Sequence, residues 1–156
     1  MTSTKKRDVG MRHGFRSGLE EANTARLIDL GVPYAYEDFK IPWRVDKRCT
    51  YTPDFLLPNG IIIETKGRFV TADRQKHLAV QEQEPDLDIR FVFSRSSARL
   101  SKGSPTTYAK WCETKGFLHA NLVIPGAWLA EPVNELSLTR VRQLFTLNKK
   151  NSQCPF

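Results

Sequence analysis

The sequence predicts a single α/β (α+β) domain with a central mixed β-sheet flanked by helices. The chain has 156 residues, which at roughly 150 residues per domain allows one folded unit with a sizeable core. Hydrophobic residues make up 40% of the chain, so it is too apolar to be disordered throughout. Segments with the two-residue period of strands alternate with segments of helical period, which is the order typical of this class.

The first third of the chain predicts a helix followed by extended segments. The helix begins at Ser17, an N-cap residue, and ends at Gly31. Its expected buried stripe is Leu19, Ala22, Leu27 and Leu30. Residues 34–40 are strand-like. Residues 41–50 contain no glycine or asparagine to reverse the chain, so we interpret them as an extended connector.

The strongest hairpin signal is Pro58-Asn59-Gly60, which lies between apolar strands at 52–57 and 61–66. A turn centred on Asn59 places Asp54 opposite Glu64. The hairpin is apolar on both faces, which predicts a central position in the sheet.

The second half of the chain supplies the remaining elements. We expect a helix over 71–83, a strand over 89–93, a basic loop over 94–103, a helix from the N-cap Ser104 to Gly116, a strand over 122–124 and a helix over 137–147. Tyr108, Trp111 and Cys112 should face inward.

Positive charge is concentrated at the two ends of the chain. The formal net charge is +7, and both ends are basic while the body between them is close to neutral. This pattern predicts a flexible basic arm over 1–14, a single domain over 15–147 and a flexible tail over 148–156. Basic ends either contact a phosphate backbone or serve only solubility.

Several functional classes are excluded or disfavoured. Three widely spaced cysteines without a C-x-x-C pair indicate neither a disulfide scaffold nor a structural zinc site. No apolar leader or membrane-length segment is present in the sequence, so we expect a soluble cytoplasmic protein. The three histidines are far apart, and His77 should have a solvated or packing role. The sequence lacks a phosphate-binding G-x-x-x-x-G-K-[ST] loop, which disfavours a nucleotide-driven motor.

The hairpin register brings three charged side chains together. Asp54 opposes Glu64 with Cβ atoms about 5 Å apart, and Lys66 lies on the same face of the strand. Two opposed carboxylates repel each other inside a sheet unless a proton or a cation compensates. Mg²⁺ prefers oxygen ligands, so we expect one or two Mg²⁺ ions, with Mn²⁺ as a substitute. The alternative is a structural ion pair in which Lys66 neutralises one acid.

The same residues form a recognisable motif. Pro53-Asp54, nine residues and then Glu64-Thr65-Lys66 resembles the PD-(D/E)xK signature of nucleases. Glu113-Thr114-Lys115 also fits the second half of the pattern, but it lies at a predicted helix end, where residues i and i+2 do not share a face. The strand context of the first match therefore distinguishes it from coincidence.

Longer segments carry a closer resemblance. These are FRSGLE (15–20), YTPDFLLPNG (51–60), ETKG (64–67), KHL (76–78), LDIR (87–90) and KGSPT (102–106). Together they resemble the phage endonuclease I family, the Holliday-junction resolvases of T-seven-like short-tailed phages. The resemblance implies a PD-(D/E)xK restriction-endonuclease-like core, a domain-swapped homodimer and Mg²⁺-dependent cleavage of branched DNA.

The resemblance also implies specific residue roles. Glu20, Asp54, Glu64 and Lys66 would be catalytic, and the three acids with the main-chain carbonyl of Thr65 would bind metal. Glu20 has an alternative role, because Ser17-x-x-Glu20 is also a capping box. The connector over 41–50 would pass to a partner subunit, so that Glu20 of one chain completes the site of the other.

DNA, above all four-way junctions, is the expected partner. The candidate contacts are Lys5, Lys6, Arg7, Arg12, Arg16, Arg95, Arg99 and Lys102, and a solvated loop is the alternative for the last three. The function predicted for the 15–147 nuclease domain is junction resolution, which leaves 5′-phosphate and 3′-hydroxyl ends. The alternatives are a sequence- or mismatch-specific nuclease with the same core, or a non-catalytic architectural protein. No DNA-reading module is recognisable, and the acid and lysine set is intact.

Overall fold

The computed structural model describes residues 17–44, 48–148 and 154–156. Its helices are α1 (Gly18–Asp29), α2 (Thr71–Gln83), α3 (Tyr108–Lys115), α4 (Gly126–Leu129) and α5 (Glu135–Leu147). Its strands are β1 (Ala35–Tyr36), β2 (Ile41–Arg44), β3 (Arg48–Tyr51), β4 (Phe55–Leu56), β5 (Ile61–Lys66), β6 (Asp88–Phe93) and β7 (His119–Asn121). No helix among the described residues is long and apolar enough to cross a membrane.

Five strands form the central sheet in the order β1-β4-β5-β6-β7. The pairs β1–β4 and β4–β5 are antiparallel, whereas β5–β6 and β6–β7 are parallel. The predicted mixed sheet is therefore confirmed. Its middle strand is β5, and the first five residues of that strand are buried, as expected for a strand covered on both faces.

The β4–β5 hairpin has the predicted register, with Phe55 opposite Ile63 and Leu56 opposite Ile62. Gly60 closes the turn with a φ of 84°, a left-handed conformation that favours glycine. The side-chain amide of Asn59 donates to the carbonyl of Trp128 at 2.8 Å. The turn is thus fixed both by its own backbone and by α4.

Helices cover both faces of the sheet. On one face, Leu56 and Ile62 pack against residues of α2 and α5 such as Val80. On the other face, Phe55 and Ile63 pack against residues of α1 and α4. A third, aromatic cluster joins β6 to α3 and consists of Phe69, Phe91, Phe93, Tyr108, Trp111, Cys112 and Phe117. Strand β5, which carries Glu64 and Lys66, is consequently held from both faces.

The predicted apolar stripe of α1 is largely wrong. Ala22 and Leu30 are exposed and Leu19 is only partly buried, and the buried residues are instead Glu20, Asn23, Thr24 and Leu27. Asn23 donates to the carbonyl of Leu122 at 3.0 Å and accepts from the N–H of Ile124 at 2.8 Å. The helix packs against backbone groups of residues 122–124, and such groups need polar partners rather than apolar ones when they are buried.

The segment over 41–50 contains a chain reversal that we did not expect. Strands β2 and β3 pair antiparallel, with Ile41 opposite Tyr51 and Arg44 opposite Arg48. Both halves are extended as predicted, but they satisfy their backbone hydrogen bonds with each other, so the turn-free interpretation is wrong. Residues 45–47, which connect the strands, lie outside the described residues. Passage of this segment to a partner subunit stays a prediction.

The ends of other helices and strands in the first 116 residues are compared next with the predicted ends. Helix α2 has the predicted limits. Strand β1 is shorter than predicted, because Glu37 adopts a φ of 50° and ends it. Helix α3 begins at Tyr108, not at Ser104, because Thr107 is the N-cap and accepts from Lys110 N–H at 3.1 Å.

The C-terminal elements also differ in detail. The final helix begins two residues earlier than predicted, at Glu135. The predicted strand over 122–124 is wrong, since β7 ends at Asn121 and Leu122 has a φ of 70°. The short helix α4 was not predicted. The expected arm over 1–14 lies outside the described residues, as do residues 149–153 of the expected tail.

Gly60 and Gly103 form a matched pair for a stability test. Both have positive φ, but a Cβ at Gly60 would lie 2.8 Å from the carbonyl oxygen of Asn134, whereas a Cβ at Gly103 would have nothing within 4 Å. We expect Gly103→Ala to lower the free energy of unfolding by about 1–2 kcal/mol and Gly60→Ala by about 1–3 kcal/mol more. Denaturant unfolding measures both, and equal losses would contradict the close approach of α5.

Candidate active site

Two buried carboxylates meet where β5 ends. Asp54 occupies the bend just before β4, and Glu64 lies on β5 close to its carboxyl end. Each residue is 3% exposed. The hairpin register is the predicted one, and the charge of Glu64 acts to raise the pKa of Asp54, as expected for acids that lie close together.

Asp54 is held by the residue that follows Glu64. Its Oδ2 accepts hydrogen bonds from the N–H and from the hydroxyl of Thr65, both at 2.7 Å. Burial and the charge of Glu64 raise the pKa of Asp54 to about 7, although the Thr65 hydrogen bonds act in the opposite direction. Repulsion and desolvation therefore outweigh the local hydrogen bonds.

Glu64 has cationic and polar neighbours on one oxygen only. The Nζ of Lys66 lies 2.9 Å from its Oε1, and the Nε2 of His77 lies 3.7 Å from the same atom. Burial acts to raise the pKa of Glu64, but His77 and Lys66 lower it to about 2. The other oxygen, Oε2, is buried and has no hydrogen-bond partner among the described residues.

Lys66 links this site to the start of α2. Its Nζ also lies 3.5 Å from Oδ1 of Asp73, and the Nζ of Lys76 lies 3.6 Å from that same oxygen. Burial would lower the pKa of Lys66, but the charge of Glu64 reverses the direction and raises it. Lys66 therefore carries a full positive charge at the edge of the carboxylate pair.

Glu20 approaches the pair from α1. Its N–H donates to the Oγ of Ser17 at 3.3 Å, which confirms the predicted N-cap. Its carboxylate Oε2 accepts from the hydroxyl of Tyr36 at 2.6 Å. The charge of Glu20 contributes to the raised pKa of Asp54. The acid is therefore part of the electrostatic environment of Asp54 as well as of the helix start.

The position of His77 next to Glu64 was not predicted from the sequence. The side chain is fully buried, so a solvated role is wrong and a packing role is confirmed. Its ring lies edge-on to Tyr51 and Phe91, with centroids 5.1 and 4.8 Å apart. The proximity of α2 to the acid strand could not be inferred from spacing. The only sequence signal is that His77 falls within one of the resemblance segments.

The donor set fits a hard divalent cation, although the side chains do not enclose a site. Within the ranges that the structure describes, no three His, Cys, Asp or Glu side chains are arranged to hold a metal ion. The fit is supported by Oε2 of Glu64, a buried oxygen without a partner beside a second buried carboxylate. Metal binding by Asp54, Glu64, Glu20 and the Thr65 carbonyl stays a prediction.

The candidate DNA contacts divide into two groups. Arg95, Arg99 and Lys102 are exposed on the 94–103 loop, and the loop begins beside the acids because Ser94 N–H donates to the carbonyl of Lys66 at 3.1 Å. The others, Lys5, Lys6, Arg7, Arg12 and Arg16, lie outside the described residues. Contact with DNA stays a prediction for both groups.

Comparison with known proteins decides the family. Residues 1–150 match the family model for phage endonuclease I. The chain belongs to the phage endonuclease I family. Endonuclease I of Escherichia phage T7 is 48% identical over 130 residues, which cover 83% of this chain and 87% of that protein. Endodeoxyribonuclease 1 of Enterobacteria phage T3 is 49% identical over 129 residues, 82% of this chain and 85% of that protein.

The family assignment confirms the resemblance inferred from the sequence segments, and the names of both relatives support a nuclease. In this chain, the segment from Asp54 to Lys66 forms the hairpin at the centre of the sheet. Asp54 and Glu64, whose carboxylate pKa values are strongly shifted, thus lie in the segments that carry the resemblance.

The repulsion at Asp54 should be visible in the pH dependence of stability. Because the folded-state pKa is raised from 3.8 to about 7, the folded state binds the proton more tightly, and this stabilisation is present at low pH and lost as the pH rises to about 7. We expect Asp54→Asn, measured by denaturant unfolding in EDTA, to become progressively more stable than the unchanged chain between pH 5 and pH 8, by roughly 2–4 kcal/mol at pH 8.

Glu64→Gln is the control, because the pKa of Glu64 is lowered. Its carboxylate stabilises the fold above its ordinary pKa and loses this effect only as the pH falls toward about 2. Glu64→Gln should therefore be destabilised at pH 8. A constant stability difference for Asp54→Asn across the range would contradict the burial of two mutually repelling acids.

Proposed function

We propose that this chain is a Mg²⁺-dependent endodeoxyribonuclease that resolves four-way junctions and cuts other branched DNA. The observation that carries the proposal is the buried Asp54–Glu64 pair, in which Oε2 of Glu64 has no partner among the described residues. A structural ion pair with Lys66 would neutralise one acid only. The family supports the same function, because the two relatives matched here are named as endonucleases. A PD-(D/E)xK type of core is part of the proposal.

The chain's own residues would hold the ion through oxygen atoms. Asp54, Glu64 and the Thr65 carbonyl are the proposed ligands, with Glu20 as a further acid, and Mn²⁺ would substitute for Mg²⁺. When bound, such an ion lowers the pKa of an attacking water and stabilises the leaving oxygen of a phosphodiester. Binding at Asp54 would also relieve the repulsion that raises the pKa of this residue.

Lys66 would serve the phosphate. Its ammonium lies 2.9 Å from Glu64 and is partly exposed, so it can orient a water molecule and neutralise the negative charge that develops on phosphorus. The water oxygen forms a new bond to phosphorus while the bond to the 3′ oxygen breaks. The departing 3′ oxygen takes up a proton, which leaves a 5′-phosphate and a 3′-hydroxyl without a covalent enzyme intermediate.

Substrate binding would extend outward from this point. The exposed cations Arg95, Arg99 and Lys102 belong to the loop that starts beside Lys66, which supports phosphate contacts on one side of the acids. Arg68, two residues beyond Lys66, is also exposed. Contacts of this kind position a backbone without reading bases, which agrees with recognition of DNA shape rather than sequence.

A domain-swapped homodimer is part of the proposal. The β2–β3 hairpin joins the segment with Glu20 to the segment with Asp54, and it forms a two-stranded sheet separate from the central one. Opening this hairpin would exchange residues 17–44 between two chains while every other contact is re-formed. Two symmetric sites suit the paired cuts that a four-way junction requires.

The test of function compares a synthetic four-way junction with its linear duplex arms, in Mg²⁺ and in EDTA. We expect cleavage of the junction in Mg²⁺ only. Asp54→Asn and Lys66→Ala should reduce the cleavage rate by at least about 100-fold, while junction binding in Ca²⁺ stays within about threefold. Lys115→Ala, which removes an exposed cation at the end of α3, is the matched control and should cut normally.

The outcomes separate the alternatives. Cutting of particular duplex sequences would identify a sequence-specific nuclease, and cutting of mispaired duplexes in preference to junctions would identify a mismatch nuclease. Tight binding with no cleavage by the unchanged chain in Mg²⁺ or Mn²⁺ would identify an architectural protein. Loss of binding and cleavage together in folded Asp54→Asn would move the site elsewhere.

The exchange of segments has a test of its own. We expect a heterodimer of Glu20→Ala and Asp54→Ala chains, refolded together and isolated by two tags, to contain one doubly defective site and one intact site. It should therefore nick a junction once and fail at paired resolution. A folded heterodimer with no nicking activity would show that each site is built within one chain, while leaving the nuclease assignment intact.

A further inference from the structure

Buried polar atoms without partners cluster around Glu64. Within the part of the chain that the structure describes, the Tyr51 hydroxyl, Oε2 of Glu64 and both ring nitrogens of His77 are buried and have no hydrogen-bond partner. Buried polar groups normally have one, because an unsatisfied group costs about 1–3 kcal/mol. A cluster of such atoms beside the proposed ligands lowers the stability of the fold, which indicates that these side chains have a functional role.

The position of His77 is tightly fixed. Its side chain is fully buried, and the rings of Tyr51 and Phe91 lie edge-on to it. Phe91 is also the residue paired with Glu64 across the parallel β5–β6 ladder. The imidazole is therefore packed directly against the strand position that it faces, so its ring nitrogens have little freedom to turn away.

The contacts of Glu64 are unequal between its two oxygens. Lys66 Nζ lies 2.9 Å and His77 Nε2 lies 3.7 Å from Oε1, whereas Oε2 has no hydrogen-bond partner in the described part of the chain. An imidazole nitrogen can carry a hydrogen and donate it, and Nε2 is the ring nitrogen that lies toward Oε1 of Glu64. The distance of 3.7 Å exceeds a hydrogen bond, and contacts of this type often shorten when a catalytic complex forms.

We propose that His77 is a positioning residue that directs its Nε2–H toward Oε1 of Glu64 and so keeps Oε2 presented to the divalent cation. The proposal rests on the proposed function. A ligating carboxylate is commonly oriented by an outer hydrogen-bond donor, whose loss typically weakens metal binding by 10–100-fold. Lys66 alone cannot perform this task during catalysis if its ammonium turns toward the phosphate. His77 is then the donor that holds Glu64 in place.

Three variants distinguish positioning from packing. His77→Gln keeps an N–H near the Nε2 position, His77→Leu keeps only apolar volume, and His77→Asn keeps an amide that is too short to reach Oε1. Val80→Ala is the matched control, since it truncates a fully buried residue of the same helix that packs in the core with Leu56 and Ile62. All four are made in the full chain, and each is checked for folding by thermal unfolding.

The measurement is Mn²⁺ binding by titration calorimetry without DNA, followed by the Mg²⁺ concentration that gives half-maximal junction cleavage. We expect His77→Leu and His77→Asn to weaken both by about 10–100-fold, with a much smaller effect on cleavage at saturating Mg²⁺. His77→Gln should stay within about threefold of the unchanged chain. Val80→Ala should lower the melting temperature and leave both quantities unchanged.

Each outcome decides the proposal. If His77→Leu does not fold, the comparison of His77→Gln with His77→Asn replaces it, because both are polar and differ in reach. Equal metal affinities for these two folded variants, or an unchanged affinity in His77→Leu, would overturn the positioning role. If the unchanged chain neither binds Mn²⁺ nor cuts DNA, the proposed function fails. Normal behaviour of the unchanged chain together with unaffected His77 variants would overturn only the role of His77.

Discussion

The repulsion between Asp54 and Glu64 is the constraint around which the site is organised. Both acids are buried, and the raised pKa of Asp54 shows that the fold does not fully compensate them. Thr65 and Lys66, the two residues after Glu64, hold one acid each. A sequence selected for stability alone would replace one acid, so the retained pair supports a chemical role.

The fold makes this arrangement possible by its asymmetry around β5. The strand pairs antiparallel with β4, which sets Asp54 beside Glu64, and parallel with β6, which sets Phe91 beside Glu64. Glu64 therefore has the carboxylate of Asp54 on one side and the aromatic residue Phe91 on the other. Helices on both faces keep the strand rigid, and rigid elements hold reactive groups more accurately than loops do.

Polar residues on the helices complete the site, and the spacing of apolar residues in the sequence does not identify them. The buried face of α1 is mostly polar, with Asn23 fixing the helix to the 122–124 loop and Tyr36 holding Glu20. Likewise, α2 directs His77 at Glu64. Each helix buries an apolar residue, Leu27 in α1 and Val80 in α2, and each also buries a polar residue near the carboxylates, Glu20 in α1 and His77 in α2. Buried polar residues of this kind are expected at functional sites.

The sequence by itself determined the mixed sheet, the hairpin register, the limits of α2 and the family, because strand alternation, the turn residues and the motif segments are local signals. The PD-(D/E)xK spacing in the sequence is also sufficient to identify Asp54, Glu64 and Lys66 as candidate site residues. Only the tertiary structure decided that β2 pairs with β3, that α3 starts at Tyr108 with Thr107 rather than Ser104 as its N-cap, and that His77 faces Glu64. These three features depend on which backbone groups and side chains meet across the fold. The distance between Glu64 and His77, for example, is set by the packing of α2 on the sheet, and no local sequence pattern encodes that packing.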